Sequence, residues 1–207
     1  MQRLLASSQS IKIAKGGLIF EELEPLTKLY CIKKGACKFS KVDANGHEHI
    51  LRFLGDGEVM GKRSVISNNG AKVNAVALTE IELCCLDKAE IQRNLQENTQ
   101  FCQDFLDALV EDSNINEHTR IKFVAPKSFK TRLANLLWYL AEKFGTDNSG
   151  KLNLKIKRDD MAAVLGTSPE YIINLLKQFK ELELIETNKR DIRITQKLKE
   201  HMKMAKN

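Results

Sequence analysis

Three groups of residues in this 207-residue chain have the types and spacing to do chemistry. The first centres on Gly166-Thr167-Ser168, a tight turn between a short helix over 159–165, capped by Gly166, and a second helix over about 169–182. That is the spacing of a helix-turn-helix. On the second helix Ile172, Leu175, Leu176 and Phe179 form an apolar stripe, while Glu170, Ile173, Asn174 and Lys177 recur at i, i+3, i+4 and i+7 on the other side. A carboxylate there accepts from cytosine N4, an amide pairs with adenine N6 and N7, and Ile173 suits a thymine methyl. Glu170 also fits a Thr167-x-x-Glu170 capping box. Residues 183–186 and 191–194 then read as strands around the turn Thr187-Asn188-Lys189-Arg190, a wing whose basic tip grips phosphates. A plainly solvated surface would use Lys177, Lys189 and Arg190 as well.

The second group is His47-x-His49, which invites comparison with metal-dependent oxygenases on small β-barrels. Such a site needs a nearby carboxylate and a third histidine. The next candidates are Asp56 and His118, the latter on a predicted long helix, so neither a metal nor an enzyme is expected. The third group is Cys31, Cys37, Cys84, Cys85 and Cys102, an odd number without paired C-x-x-C spacing. Neighbours Cys84 and Cys85 fall on opposite faces of a strand, so buried structural thiols are expected, with a redox switch left open.

Charge separates the chain into two parts. Residues 1–125 carry 16 Lys+Arg against 17 Asp+Glu, and residues 126–207 carry 17 against 10, within a net charge of +6. A neutral part joined to a basic one suits a protein of which only one domain meets a polyanion. With 43% hydrophobic and 29% charged residues the chain is of globular composition. No apolar run approaches the roughly 18 residues of a membrane helix, and residues 1–10 lack the pattern of a signal peptide, so a cytoplasmic protein is expected.

The elements that must position these groups follow from pattern. Residues 11–86 give short apolar-polar runs, IKIA, GLIF, LYCI, ACKFSKV, HEHILRFL, VNAVAL and IELCCL, with turns at Lys34-Gly35, Asn45-Gly46, Gly55-Asp56-Gly57 and Asn68-Asn69-Gly70. An antiparallel sandwich or roll is the economical solution. Helix begins at Asp87 and breaks near Glu97-Asn98-Thr99. Along 99–123, Cys102, Leu106, Leu109, Ser113, Asn116, Arg120 and Phe123 alternate spacings of four and three, a seam hydrophobic in its first half and polar in its second that can pair with a second copy. The alternative lays this helix on the roll with Phe101, Phe105 and Leu109 as core. Pro126 ends it, a helix over 128–144 buries Phe129, Leu133, Leu136, Leu137 and Leu140, and a strand over 151–156 follows. The expected architecture is α+β: a β-roll domain over 1–98, a dimerisation helix and hinge over 99–125, and a winged helix-turn-helix over 126–207.

The whole chain, from about Ile11 to Ile194, resembles the CRP/FNR family of bacterial transcription regulators. The resemblance rests on Gly17-Leu18-Ile19-Phe20, Leu29-Tyr30-x-Ile32-x-x-Gly35, Gly46-x-Glu48-x-Ile50-Leu51, Gly57-Glu58-x-x-Gly61, Arg132-Leu133-Ala134 and Gly166-Thr167-Ser168-x-Glu170, in the family's order. It implies a cyclic-nucleotide-binding-type (cupin-like) roll, a dimer helix, and a homodimer on a two-fold DNA site that contacts RNA polymerase. By its motif the DNA-contacting set comprises Thr167, Ser168, Pro169, Glu170, Tyr171, Ile173, Asn174, Lys177, Lys189 and Arg190.

The departures bear on mechanism. Members that bind cyclic AMP carry Gly-Glu and, after a loop, Arg-Ser, for the ribose hydroxyl and the phosphate. Here the matching places are Gly61-Lys62, followed by Arg63, and Val73-Asn74, with Lys72 one residue early; the helix position of the hydroxyl pair falls on Glu117-His118. Lys62 cannot accept a hydrogen bond and Val73 cannot pair a phosphate, so cyclic AMP is not the expected effector. No cysteine cluster precedes the roll as in the iron-sulfur members, and two readings stay open: an unidentified effector or redox signal gates the protein, or the roll has lost any ligand and only builds the dimer. Ser168-Pro169-Glu170-Tyr171-Ile172-Ile173-Asn174 replaces the Ser-Arg-Glu-x-x-x-Arg of many relatives, so Asn174 is expected to read adenine where they read guanine.

Overall fold

The computed structural model describes residues 8–67 and 69–204, apart from the side chains of Asn116, His118, Arg120, Lys203 and Met204. Residues 1–7 of the N-terminal stretch, Asn68 of one expected turn, and the side chains assigned at Asn116, His118 and Arg120 lie outside the described residues. The chain forms two compact units that divide at the Glu117/His118 junction.

The first unit is a roll of strands β1 (Gln9–Ile13), β2 (Leu18–Phe20), β3 (Lys28–Lys34), β4 (Cys37–Val42), β5 (Glu48–Leu54), β6 (Val59–Met60), β7 (Asn74–Ala77) and β8 (Ile81–Asp87). They build two antiparallel four-stranded sheets, ordered β1-β8-β3-β6 and β2-β7-β4-β5. Strand alternation sends Ile81, Leu83 and Cys85 of β8 inward to meet Phe20, Ile32, Leu54 and Met60 in the main core. Two short elements have no counterpart in the sequence pattern: β6, of two residues, and helix α1 (Lys62–Ile66). Neither is long enough to show a period.

Helix α2 (Lys88–Glu97) starts after Asp87 and stops at Asn98, whose side-chain oxygen accepts from Phe101 N at 3.0 Å and so opens α3 (Thr99–Val124). The 26 residues of α3 span about 39 Å at 1.5 Å per residue. Phe101, Phe105 and Leu109 turn inward to a second core with Leu29, Val65 and Ile91. Leu106, Val110, Ile121 and Val124 are 47%, 60%, 64% and 55% exposed. At 100° per residue Leu106 and Val110 lie about 40° apart on the first unit's part of the helix, on a face that also carries the exposed Gln103 and Glu117.

The seam expected from sequence is therefore corrected at two places. Leu109 belongs to the roll's own helix-covered core. Phe123 is 4% exposed and meets the edge of the Tyr139 ring at 5.3 Å, within the second unit. Leu106 and Ser113 do face outward and Cys102 is half-buried. Alternate spacings of three and four fit either face of one helix, so the pattern alone could not choose.

The second unit holds α4 (Phe129–Phe144), α5 (Arg158–Leu165), α6 (Pro169–Glu181), β9 (Ile185–Asn188), β10 (Asp191–Ile194) and α7 (Gln196–Met204). Leu133, Leu136, Leu137 and Leu140 are buried as expected, but Phe129 is only half-buried and rests edge-on against Tyr171. The expected strand over 151–156 is absent. Isolated bridges Thr146↔Leu152 and Lys151↔Arg193 take its place, and the alternation reflects an extended segment that buries Leu152, Leu154 and Ile156. Helix α7, with Leu198 and Met202 buried, adds to the elements read from sequence.

Candidate nucleic-acid interface and the effector cassette

The turn between α5 and α6 is fixed by backbone chemistry. Gly166 sits at φ 66°, ψ 48°, the left-handed conformation that glycine adopts without steric cost. Ser168, not Thr167, caps α6: its hydroxyl accepts from Tyr171 N at 3.2 Å. Glu170 is thus the second helical residue rather than the third, and the Thr167-x-x-Glu170 capping box is not formed. Its carboxyl is held below the usual range by its own backbone N–H and by the Ser168 hydroxyl.

The apolar stripe Ile172, Leu175, Leu176 and Phe179 is buried, which leaves Glu170, Tyr171, Ile173, Asn174 and Lys177 exposed on one side of α6. Thr167 and Pro169 are half-buried at its start. The Tyr171 ring is fixed against Phe129, 5.4 Å between centroids at 83°, and Phe129 in turn carries the Arg132 guanidinium 4.6 Å from its centroid. Arg132 also donates to Pro126 O at 2.6 Å. The start of α6 is therefore braced by α4.

The wing is a tighter hairpin than the sequence suggests, because Thr187 and Asn188 belong to β9 and only Lys189 and Arg190 form the turn. Lys189 adopts a positive φ of 52°. Its carbonyl accepts from Arg158 Nη2 at 3.1 Å, so the first residue of α5 holds the wing tip. Sequence reasoning missed Arg158; its only signal was a basic residue beside the helix start. Burial and the nearby Arg190 charge push the Arg158 guanidinium down from its ordinary value. Among the described residues no carboxylate lies in ion-pair reach of Arg158, Lys189 or Arg190. Just behind the wing tip, Asp191 pairs with Lys151 and Lys155, each at 2.9 Å. Arg193 donates to Glu186 at 3.0 Å and to the Ser149 carbonyl. A held basic wing tip together with an exposed mixed polar helix face suits phosphates and base edges together.

The cassette in the roll is built differently from a phosphate site. Gly61, at φ 90°, turns the chain into α1, where a Cβ would meet Lys28 O at 3.2 Å. Lys62 then points to α3, its Nζ 2.7 Å from Asp112 Oδ2 and 3.4 Å from Ala108 O. The other Asp112 oxygen takes Arg52 Nη1 at 3.0 Å, and Arg52 Nη2 meets Glu58 Oε1 at 2.6 Å. Arg52 is 5% exposed. Sequence reasoning missed Arg52, Glu58 and Asp112; a charged residue in the apolar run HILRFL was the one available hint.

The other cassette residues are not drawn to this network. Asn74 Oδ1 accepts from Glu22 N at 2.8 Å, Val73 packs on the main core, and Arg63 and Lys72 are exposed. Glu117 is exposed on α3. The two histidines sit on an exposed hairpin, where His49 Nε2 is 2.9 Å and His47 Nδ1 3.5 Å from Asp43 Oδ2. Among the described residues no group of three or more His, Cys, Asp or Glu side chains is arranged to hold a metal ion. Nor, among them, is any helix long and apolar enough to cross a membrane.

A two-sheet roll followed by a helix-turn-helix with a basic wing defines a DNA-binding transcription regulator. Comparison with known proteins agrees. Residues 10–98 match the cyclic nucleotide-binding domain and residues 131–199 the Crp-like helix-turn-helix domain. The transcriptional regulatory protein btr of Bordetella pertussis is 25% identical over 188 residues, 90% of this chain and 77% of that protein. The CRP-like cAMP-activated global transcriptional regulator of Mycobacterium tuberculosis is 22% identical over 173 residues, 83% of this chain and 77% of that protein. The structure of FixK2 from Bradyrhizobium japonicum shares the fold, with a TM-score of 0.80 at 19% identity over 93% of this chain and 96% of that one. The chain belongs to the CRP/FNR family of transcription regulators, and is not an enzyme.

Proposed function

We propose that two copies of this chain pair along α3 and bind a two-fold symmetric DNA site, and that the dimer contacts RNA polymerase from that site. The reading gives residues 1–98 to an effector-type roll, 99–125 to dimerisation and 126–207 to DNA, and it places the protein in the cytoplasm. The observation that carries it is the exposed face Glu170, Ile173, Asn174 and Lys177 beside a basic wing tip with no internal carboxylate partner. Leu106 and Val110, exposed one turn apart on α3, support the pairing, because a second helix laid against them removes that apolar surface from water. Asn174 reads adenine, Glu170 cytosine, and Lys189 and Arg190 take phosphates.

A signal other than cyclic AMP acts at the roll. One named relative is cAMP-activated, but here the place of the ribose-binding carboxylate holds Lys62, already paired with Asp112. That same pair favours a second reading in which the roll joins α3 without any ligand and DNA binding is constitutive. Selection of genomic fragments by the purified protein in reducing buffer, with no ligand added, tests both. A recovered palindrome supports DNA-competence without a ligand, recovery only after a signal is supplied supports gating, and fragments without a shared site under any condition contradict the proposal.

A further inference from the structure

Cys31 on β3 and Cys84 on β8 are register partners in the antiparallel ladder. Both are free thiols and both are half-buried. Ile32 turns its backbone the other way, its N–H donating to Glu58 O at 2.9 Å and its carbonyl accepting from Gly57 N at 2.8 Å. Backbone groups alternate along a strand, so Cys31 faces β8 in a pair of the hydrogen-bonded kind, with Cα atoms about 5.5 Å apart. A disulfide spans about 4.4–6.8 Å. Tyr30, Ile32, Leu83 and Cys85 pack in the main core, so alternation sends Cys31 and Cys84 together to the outer face. Cys85 points inward and Cys37 is buried beside Met60.

We propose that Cys31 and Cys84 form a reversible dithiol–disulfide switch oxidised by hydroperoxides. One thiolate attacks a peroxide oxygen and breaks the O–O bond, giving a sulfenic acid, while the departing oxygen takes up the thiol's proton and leaves as water or alcohol. The facing thiolate attacks that sulfur; the S–S bond forms, the S–O bond breaks, and hydroxide leaves as water with the second proton. Two thiols lose two electrons and one hydroperoxide gains them. Burial and the neighbouring Cys84 push the Cys31 thiol up against the pull of Lys33, so the reaction is slow at neutral pH and quickens as pH rises.

The switch has a route to α3. Two residues along each strand on the same face, Leu29 and Leu86 are the next outward pair, and they pack with Ile91 of α2 and Phe105 of α3. Val59, register partner of Cys31, lies in the same cluster. Facing Cβ atoms about 4.5–5.5 Å apart must close to about 3.5–4.5 Å, which draws β3 and β8 together beside the seat of α3. The strain that results makes the bond easy to reduce.

This inference rests on the reading that the roll gates DNA binding. The full-length protein is treated with hydrogen peroxide, its remaining thiols are blocked, and peptides are mapped by mass; operator affinity is measured before and after. The expected result is a Cys31–Cys84 link that dithiothreitol releases, with an affinity change of about fivefold or more. Cys84→Ser should bind DNA like the reduced protein and lose both the link and the response, and Cys102→Ser should keep both. Links through Cys85 or Cys102 in its place, or a complete Cys31–Cys84 link with unchanged affinity, overturn the switch alone. If neither redox form binds an operator, the gating reading falls and the switch falls with it.

Discussion

Lys62 Nζ lies 2.7 Å from Asp112 Oδ2, so a lysine at the start of α1 and an aspartate midway along α3 tie the roll to its long helix. Arg52, on the other Asp112 oxygen, makes this carboxylate the counter-charge for two largely buried cations. Asp112→Ala leaves Lys62 without a counter-charge and Arg52 with Glu58 alone, and the expected cost is about 3 kcal/mol, because an unpaired buried charge is expensive. Lys62→Met still leaves Asp112 paired with Arg52 and should cost less than half as much. Urea unfolding of the two variants checks the order. Calorimetry on the purified protein should detect no micromolar binding of cyclic AMP.

The exposed face of α3 predicts opposite effects from neighbouring residues. Val110→Glu should shift sedimentation toward the monomer with little loss of protomer stability, since Val110 is 60% exposed. Phe105→Ala should instead destabilise the roll by about 3–5 kcal/mol, the usual cost of emptying a buried aromatic site.

The same helix shows what the sequence could and could not tell. The helix-turn-helix was legible because Gly166, the polar run at 170–177 and the apolar stripe each follow from local backbone geometry. Orientation of α3 was not, because Leu106 and Leu109 both satisfy a three-four spacing and only the second core decides between them. The strand at 151–156 was misread, since alternation marks an extended buried segment whether or not a neighbour completes a ladder. Arg52, Asp112 and Arg158 act through partners distant in sequence, the kind of contact that no spacing within one element encodes.

At the interface, Asn174→Ala should change the preferred base at its position at a cost of about 1–3 kcal/mol, while Lys189→Ala or Arg190→Ala should weaken all sequences alike and lower the salt slope by about one each. Arg158→Ala frees the Lys189 carbonyl and should act like the wing variants, without altering base preference. Base-preference profiles and salt titrations separate the two kinds.

Asp191 gives the wing an acid limit. Hydrogen bonds from Lys151 and Lys155 hold its carboxyl below the ordinary value. A carboxylate depressed in the folded state contributes stability that is fully present above its unfolded value, about 3.9, and is lost as pH falls through the lowered one. Thermal unfolding should therefore be insensitive to this group at neutral pH and weaken below about pH 4. Asp191→Asn should flatten that acid limb.

The most direct test of the whole account is the affinity of the protein for its selected duplex compared with the same duplex in which one half-site is scrambled. Recognition by two symmetric reading helices predicts a loss of about a hundredfold or more, with a steep salt dependence remaining in both cases. Equal affinity for the intact and the half-scrambled duplex would contradict it.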